Sequence, residues 1–155
     1  MNSLEGTKAP NFKLSGSDGK KHSLSDYKGK NIVIYFYPKD NTPGCTKESC
    51  GFRDLNTDFN DHNSIIIGIS KDNLKSHEEF IKKFNLPFLL LSDPDTSVMS
   101  KYNAWGEKSM YGKTVIGCIR STVVIGPNGK VIKHWQKVPK AEAHPAKVFE
   151  YIQSL

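Results

Sequence analysis

No apolar run in this 155-residue chain approaches the roughly 18 to 20 residues that a membrane-spanning helix demands, so no membrane partner is expected. The segment Met1–Pro10 has no basic flank leading into an apolar stretch and no lipidation signal, so secretion is not indicated and the cytoplasm is the expected address. Internal repeats, low-complexity tracts and Pro/Gly/Ser-rich linkers are absent too, and the length suits one substantial core. A single domain over residues 1–155 is expected. Cysteine is scarce: the chain has three, an odd number, which argues against a structural disulfide framework and turns attention to thiol reactivity.

Positive charge is in excess, with 22 Lys and Arg against 16 Asp and Glu, but the basic residues alternate with acids, as in Glu78-Glu79 before Lys82-Lys83. Lys20-Lys21 and Lys28 to Lys30 are too short for a basic arm, and no nucleic-acid module is recognisable, so a nucleic-acid partner is not expected. His22, His62, His77, His134 and His144 are isolated and lack the spacing of a metal pair on one helix. They read as surface polar residues.

What is present is an alternation of strand and helix signals. Asn31 to Tyr37 is apolar on both faces, as in a strand buried mid-sheet, and Pro38 ends it. After a polar loop, Pro43 to Asp61 sets Phe52, Leu55 and Phe59 at helical spacing with proline at the first position. Ser64 to Ser70 reads as a second buried strand, Asn73 to Phe84 as a helix, Phe88 to Leu91 as a short strand and Asp95 to Tyr102 as a short helix. Ala104 to Lys113 reads as a loop. Arg120 to Ile125 and Lys130 to Trp135 flank Pro127-Asn128-Gly129 as a hairpin, and Pro145 to Ser154 as a last helix. The pattern specifies an α/β fold, a central mixed sheet flanked by helices, for which the thioredoxin-like fold is the natural candidate. Asn11 to Leu14 and Lys21 to Leu24 would add an N-terminal hairpin outside that core.

Cys45 falls two residues after Pro43, just past the C-terminal end of a central strand, where α/β folds place their chemistry. Unpaired backbone N–H groups and the positive end of the helix dipole favour thiolate there. Thr42 offers a hydroxyl to an incoming oxygen, and Pro38 would stiffen the loop and shield the sulfur from water. Taken singly, each is ordinary loop chemistry, and a free cysteine is commonly a small apolar filler.

Together, Pro38, Thr42 and Cys45 match the Pro-x-x-x-Thr-x-x-Cys signature, and the chain resembles the peroxiredoxins. Tyr35-Phe36-Tyr37-Pro38-Lys39-Asp40-Asn41-Thr42-Pro43-Gly44-Cys45-Thr46-Lys47-Glu48-Ser49-Cys50 is similar to their bacterioferritin comigratory protein, or peroxiredoxin Q, subfamily. The likeness runs from Gly6 to Tyr151 and includes Trp105-Gly106-Glu107, Met110 to Lys113 and Arg120-Ser121-Thr122. The resemblance implies a thiol peroxidase with Cys45 as attacking cysteine, Thr42 and Arg120 as its polar partners and Cys50 as resolving cysteine. It further implies hydroperoxide substrates, thioredoxin or a similar dithiol as electron donor, no metal or organic cofactor, and a monomer. A permanently charged Arg120 beside Cys45 would favour thiolate and hold peroxide oxygens.

On an ideal helix, residues 45 and 50 would be about 8.6 Å apart between Cα atoms. A disulfide needs roughly 4.4 to 6.8 Å, so Thr42 to Arg53 should change order with redox state. Cys118 reads as a buried bystander. The Gly-Gly-Leu-Gly loop and C-terminal Tyr-Phe of easily overoxidised peroxiredoxins are missing, which implies relative resistance to sulfinic acid formation. Trp105, Met110 and Tyr111 would either rim the site or pack beneath their loop. A copper carrier using Cys45 and Cys50 with a histidine would commonly space its cysteines by three residues and be membrane-anchored, and a general disulfide reductase would carry Cys-x-x-Cys; the four-residue interval and the expected lack of an anchor count against the first, and the absence of Cys-x-x-Cys against the second.

Overall fold

The computed structural model describes residues 3–155, so the first two residues of the Met1–Pro10 stretch lie outside it. In chain order the elements are β1 (Lys13–Gly16), β2 (Lys21–Ser23), a 3-10 turn (Leu24–Tyr27), β3 (Asn31–Phe36), α1 (Pro43–Asp61), β4 (Ser64–Ser70), α2 (Leu74–Phe84) and β5 (Leu89–Ser92). There follow α3 (Ser97–Lys101), β6 (Trp105–Met110), β7 (Lys113–Cys118), β8 (Ser121–Ile125), β9 (Val131–Trp135) and α4 (His144–Gln153).

Seven strands form one mixed sheet in the order β2-β1-β5-β4-β3-β8-β9. β3 lies inside it, parallel to β4 in the register Ile34↔Ile67 and antiparallel to β8 in the register Ile34↔Val123. Its unbroken apolar run follows from this position, because successive side chains serve two cores. Val33, Tyr35 and Tyr37 join Phe52 and Phe59 of α1, Phe80 of α2 and Val148 and Ile152 of α4. Ile32, Ile34 and Phe36 join Phe12, Val98, Met99, Tyr102 and Val123.

Helix boundaries follow local chemistry. Pro43 occupies the first turn of α1, where its missing N–H costs nothing. Asn73 caps α2 by accepting a hydrogen bond from the Ser76 N–H (2.8 Å), and Asn85 closes it at φ 53°. Gly51 sits where α4 crosses α1: a Cβ there would stand 2.8 Å from Pro145 Cγ, so the crossing requires a residue without a side chain.

Two expectations are corrected. The N-terminal hairpin is not outside the core sheet: β1 pairs with β5 through Ser15↔Ser92 and Gly16↔Leu91 and extends the sheet by two strands. Ala104 to Lys113 is not a loop, since β6 and β7 form a separate antiparallel ribbon from Trp105↔Cys118 to Met110↔Lys113. Its ladder supplies backbone hydrogen bonds to a polar, glycine-punctuated stretch that shows little apolar alternation.

Candidate active site

β3 delivers the chain to the C-terminal end of the sheet, Pro38 leaves it half-buried, and residues 39–42 turn the chain into α1. This short loop is held from beneath. Asp40 Oδ1 accepts from Tyr37 Oη (2.5 Å), and its Oδ2 accepts from Ser76 Oγ (2.8 Å) and lies 2.7 Å from His77 Nδ1. The Asp40 N–H is bound by Asp72 Oδ2 (2.8 Å), which also accepts from Ser70 Oγ (2.7 Å), while His77 Nε2 donates to the Leu91 carbonyl (3.0 Å). The loop is thus tied to β4, α2 and β5 by buried polar contacts, which strengthen in a low-dielectric interior. Asp40, Asp72 and His77 bring ligand-type atoms within 4.8 Å of one another, and all three side chains are engaged by the bonds just given.

Cys45 lies in the first turn of α1 and is buried, with all three cysteines in the free thiol form. The first intrahelical bond runs from the Thr46 N–H to the Thr42 carbonyl (2.8 Å), so the N–H groups of Gly44 and Cys45 belong to the unpaired helix start. Arg120, just before β8, reaches across from the neighbouring strand. Its Nη2 donates to Cys45 Sγ at 3.0 Å and its Nη1 to Glu48 Oε1 at 2.7 Å. A Cβ on Gly44 would approach Arg120 Nη2 to 3.3 Å, so the glycine keeps the guanidinium's path to the sulfur open. The guanidinium thus sets a charged hydrogen-bond donor directly against the sulfur.

Glu48 was not foreseen from the sequence, although its position three residues after Cys45 on the same helix face was the available signal. It is fully buried, and its second oxygen, Oε2, has no hydrogen-bond partner among the described residues. Burial pushes its carboxyl up to about 7 against the lowering pull of Arg120. For Arg120, burial opposes the charge, but Glu48 and Cys45 more than offset it and raise the group above its ordinary value. The pair is therefore unequal: the guanidinium is secured by its partners, whereas the carboxylate loses more by desolvation than it recovers.

The other expected residues fall into place around this pair. Thr42 Oγ1 donates to the Lys39 carbonyl (2.8 Å), leaving its oxygen lone pairs as the acceptor capacity at the mouth of the site. Cys50 is half-buried on α1, five residues beyond Cys45. Cys118 is buried at the end of β7, and desolvation pushes its thiol up to about 12. Met110 and Tyr111 do not pack beneath their segment, since they stand exposed at the tip of the β6–β7 ribbon.

The histidines are corrected. His77, His134 and His144 are buried. Besides His77 on Asp40, His144 Nε2 lies 2.8 Å from Thr122 Oγ1, and His134 Nδ1 accepts from the Leu4 N–H (3.1 Å). Desolvation holds His144 down to about 4. Sequence spacing gave no hint, because each partner lies far along the chain.

A cysteine at a helix start with an arginine on its sulfur, on a mixed sheet flanked by helices, defines the class of thiol-dependent peroxidases built on the thioredoxin-like fold. The comparisons narrow the class. Residues 6–134 match the model of the AhpC/TSA family, and the chain belongs to that family. It is 45% identical over 150 residues to peroxiredoxin Bcp of Bacillus subtilis, covering 97% of this chain and 95% of that one. It is 46% identical to a putative peroxiredoxin bcp of Coxiella burnetii, covering 92% and 94%. Among solved structures, a cysteine-to-serine mutant of Xylella fastidiosa PrxQ superposes with a TM-score of 0.92 at 35% identity, covering 99% of this chain and 98% of that one. The chain is a peroxiredoxin that reduces peroxides at the expense of thiols.

Proposed function

We propose that Cys45 attacks the hydroperoxide and Cys50 resolves the product within the same chain, with Thr42, Arg120 and Pro38 shaping the site. The observation that carries this reading is the 3.0 Å contact from Arg120 Nη2 to Cys45 Sγ. The Cys45 thiolate takes the terminal oxygen of ROOH as the O–O bond breaks, giving sulfenic acid and RO⁻, which leaves as ROH after gaining a proton. Arg120 neutralises charge that moves from sulfur to the leaving oxygen, and the Thr42 hydroxyl, which donates its hydrogen bond to the Lys39 carbonyl, accepts one from the peroxide O–H. The Cys50 thiol then displaces water from the sulfenic acid to form the disulfide, and an external dithiol returns both sulfurs to thiols.

Alkyl as well as hydrogen peroxide is the proposed substrate range. A solved relative, the Xanthomonas campestris bacterioferritin comigratory protein, is described in terms of alkyl peroxide reduction. Thioredoxin is the proposed dithiol, the 155 residues act as one monomeric domain, and the cytoplasm is its compartment; among the described residues no helix is long and apolar enough to cross a membrane. The test is peroxide consumption by wild type, Cys45→Ser and Cys50→Ser with thioredoxin and its reductase. Cys45→Ser is expected to be inactive, and Cys50→Ser to reduce one equivalent without cycling. Full turnover by Cys45→Ser would overturn the assignment.

A further inference from the structure

His77 is completely buried, and its two ring nitrogens face different parts of the fold. Nε2 lies 3.0 Å from the Leu91 carbonyl, which can only accept, so Nε2 carries a hydrogen. In a neutral imidazole Nδ1 would then be an acceptor. Nδ1 lies 2.7 Å from Asp40 Oδ2, and a carboxylate oxygen also accepts, so a proton must lie between the two atoms. Tyr37 Oη and Ser76 Oγ donate to the same carboxyl group, and donors converging on a carboxyl favour its ionised form. Asp72 brings a second carboxylate within 4.8 Å of a ring nitrogen. The shared proton therefore belongs to the ring, and α2 carries an imidazolium beneath the loop that leads to Cys45.

This ion pair reaches the reaction through one peptide unit. The Asp40 N–H donates to Asp72 Oδ2 (2.8 Å), and the carbonyl of the same peptide, that of Lys39, accepts from Thr42 Oγ1 (2.8 Å). A peptide is planar, so its N–H and C=O turn together. Rotating this one would swing the bond that orients the Thr42 hydroxyl, and with it the lone pairs offered to the peroxide. The plane is held by Asp72 on its N–H and by the three donors on the Asp40 side chain. Of those donors, His77 is the charged one, and its other nitrogen fixes it to Leu91 of β5.

We propose that His77, as a buried imidazolium, is a positioning residue of the peroxidase: by holding Asp40 it fixes the Lys39–Asp40 peptide and aims the Thr42 hydroxyl at the peroxide. The ring touches no substrate and acts only through the loop. Without its N–H, Asp40 Oδ2 keeps a buried negative charge that has lost its counter-charge, and the loop must shift to find another partner. A displacement of about 1 Å at a reacting group can cost about 10²-fold in rate. The positioning half of the proposal rests on the roles given to Cys45 and Thr42 under the proposed function; the charge on the ring does not.

Two substitutions separate the two ring nitrogens. His77→Asn places an amide nitrogen near the Nδ1 position and can still donate to Asp40, whereas His77→Gln places one near the Nε2 position and can donate to Leu91 but not to Asp40. The rate of oxidation by limiting hydrogen peroxide, read by stopped-flow tryptophan fluorescence, should fall about 10- to 100-fold in His77→Gln and stay within about threefold of wild type in His77→Asn. A His77→Gln rate within about threefold of wild type would overturn the positioning role. So would equal losses in both variants, as ring packing alone predicts, or a larger loss in His77→Asn, as the Leu91 bond alone predicts. The charge is read in the reduced wild type without turnover, by nuclear magnetic resonance of isotope-labelled histidine near neutral pH. The histidine whose signals vanish in His77→Gln should carry protons on both ring nitrogens, and a proton on one nitrogen alone would overturn the imidazolium. The same spectrum is expected from Cys45→Ser, which separates failure of this inference from failure of the peroxidase assignment.

Discussion

Replacing Glu48 by glutamine tests the electrostatics on which the thiol site is built. Burial holds the folded-state carboxyl at about 7, against an ordinary value of 4.5 that the unfolded chain retains. Between those limits the folded protein keeps a proton that the unfolded chain has released. Stability from this group is therefore complete below about pH 4.5, drains away as the pH rises to about 7, and is level beyond. A gap of about 2.5 in pH, at about 1.4 kcal/mol for each unit, amounts to about 3 kcal/mol. Glutamine has the shape of the protonated acid and does not titrate. Urea unfolding of the reduced wild type and Glu48→Gln should give similar stabilities near about pH 4 and a variant relatively more stable by about 3 kcal/mol near about pH 8. His144, held to about 4 by burial, titrates within this range, but it does so in both proteins and cancels in the comparison. A difference that stays constant to within about 1 kcal/mol across the range would refute the claim that Glu48 is ionised at a cost.

Arg120→Lys should slow the reaction of Cys45 with hydrogen peroxide by about 10² to 10³, because an ammonium cannot bond Cys45 and Glu48 at once in a planar fork; stopped-flow tryptophan fluorescence reads the rate, and a change under about threefold would count against the role. Amide exchange within Thr42 to Arg53 should accelerate on oxidation, since helical Cys45 and Cys50 are about 8.6 Å apart between Cα atoms and must approach to bond; equal protection in both forms would defeat it. Iodoacetamide at neutral pH should label half-buried Cys50 well ahead of Cys118, whose thiol desolvation pushes up to about 12, and Cys118→Ser should cycle normally in the coupled assay. Gly51→Ala should lower stability by about 1 to 3 kcal/mol in thermal unfolding, because the new methyl meets the rigid Pro145 ring; an unchanged midpoint would show that α4 gives way freely.

Elements whose signal is local were legible in the sequence. The two-faced apolar run of β3, the proline start of α1 and the helical spacing of Phe52 and Phe59 all describe what the structure contains. Features settled by partners far along the chain were not. The edge pairing of β1 with β5 joins residues some 75 positions apart, and nothing in Lys13 to Gly16 names that partner. The β6–β7 ribbon eluded the pattern because Glu107, Lys108 and Ser109 are polar and Gly106, Gly112 and Gly117 interrupt it, while its backbone ladder leaves no mark in composition. The site divides the same way. Pro38, Thr42 and Cys45 are neighbours in a motif, whereas the anchoring of Asp40 by His77 and the burial of Glu48 under Arg120 arise only when β8 and α2 close over the loop.

The 75-residue interval between Cys45 and Arg120 also bears on how the protein is made. At about 5 to 20 residues per second, a ribosome that has just added Cys45 needs roughly 4 to 15 s to reach Arg120. Until β8 has emerged and paired beside β3, the nascent Cys45 has no guanidinium against it. On the reading proposed above, the sulfur meets its charged partner only once the sheet is complete.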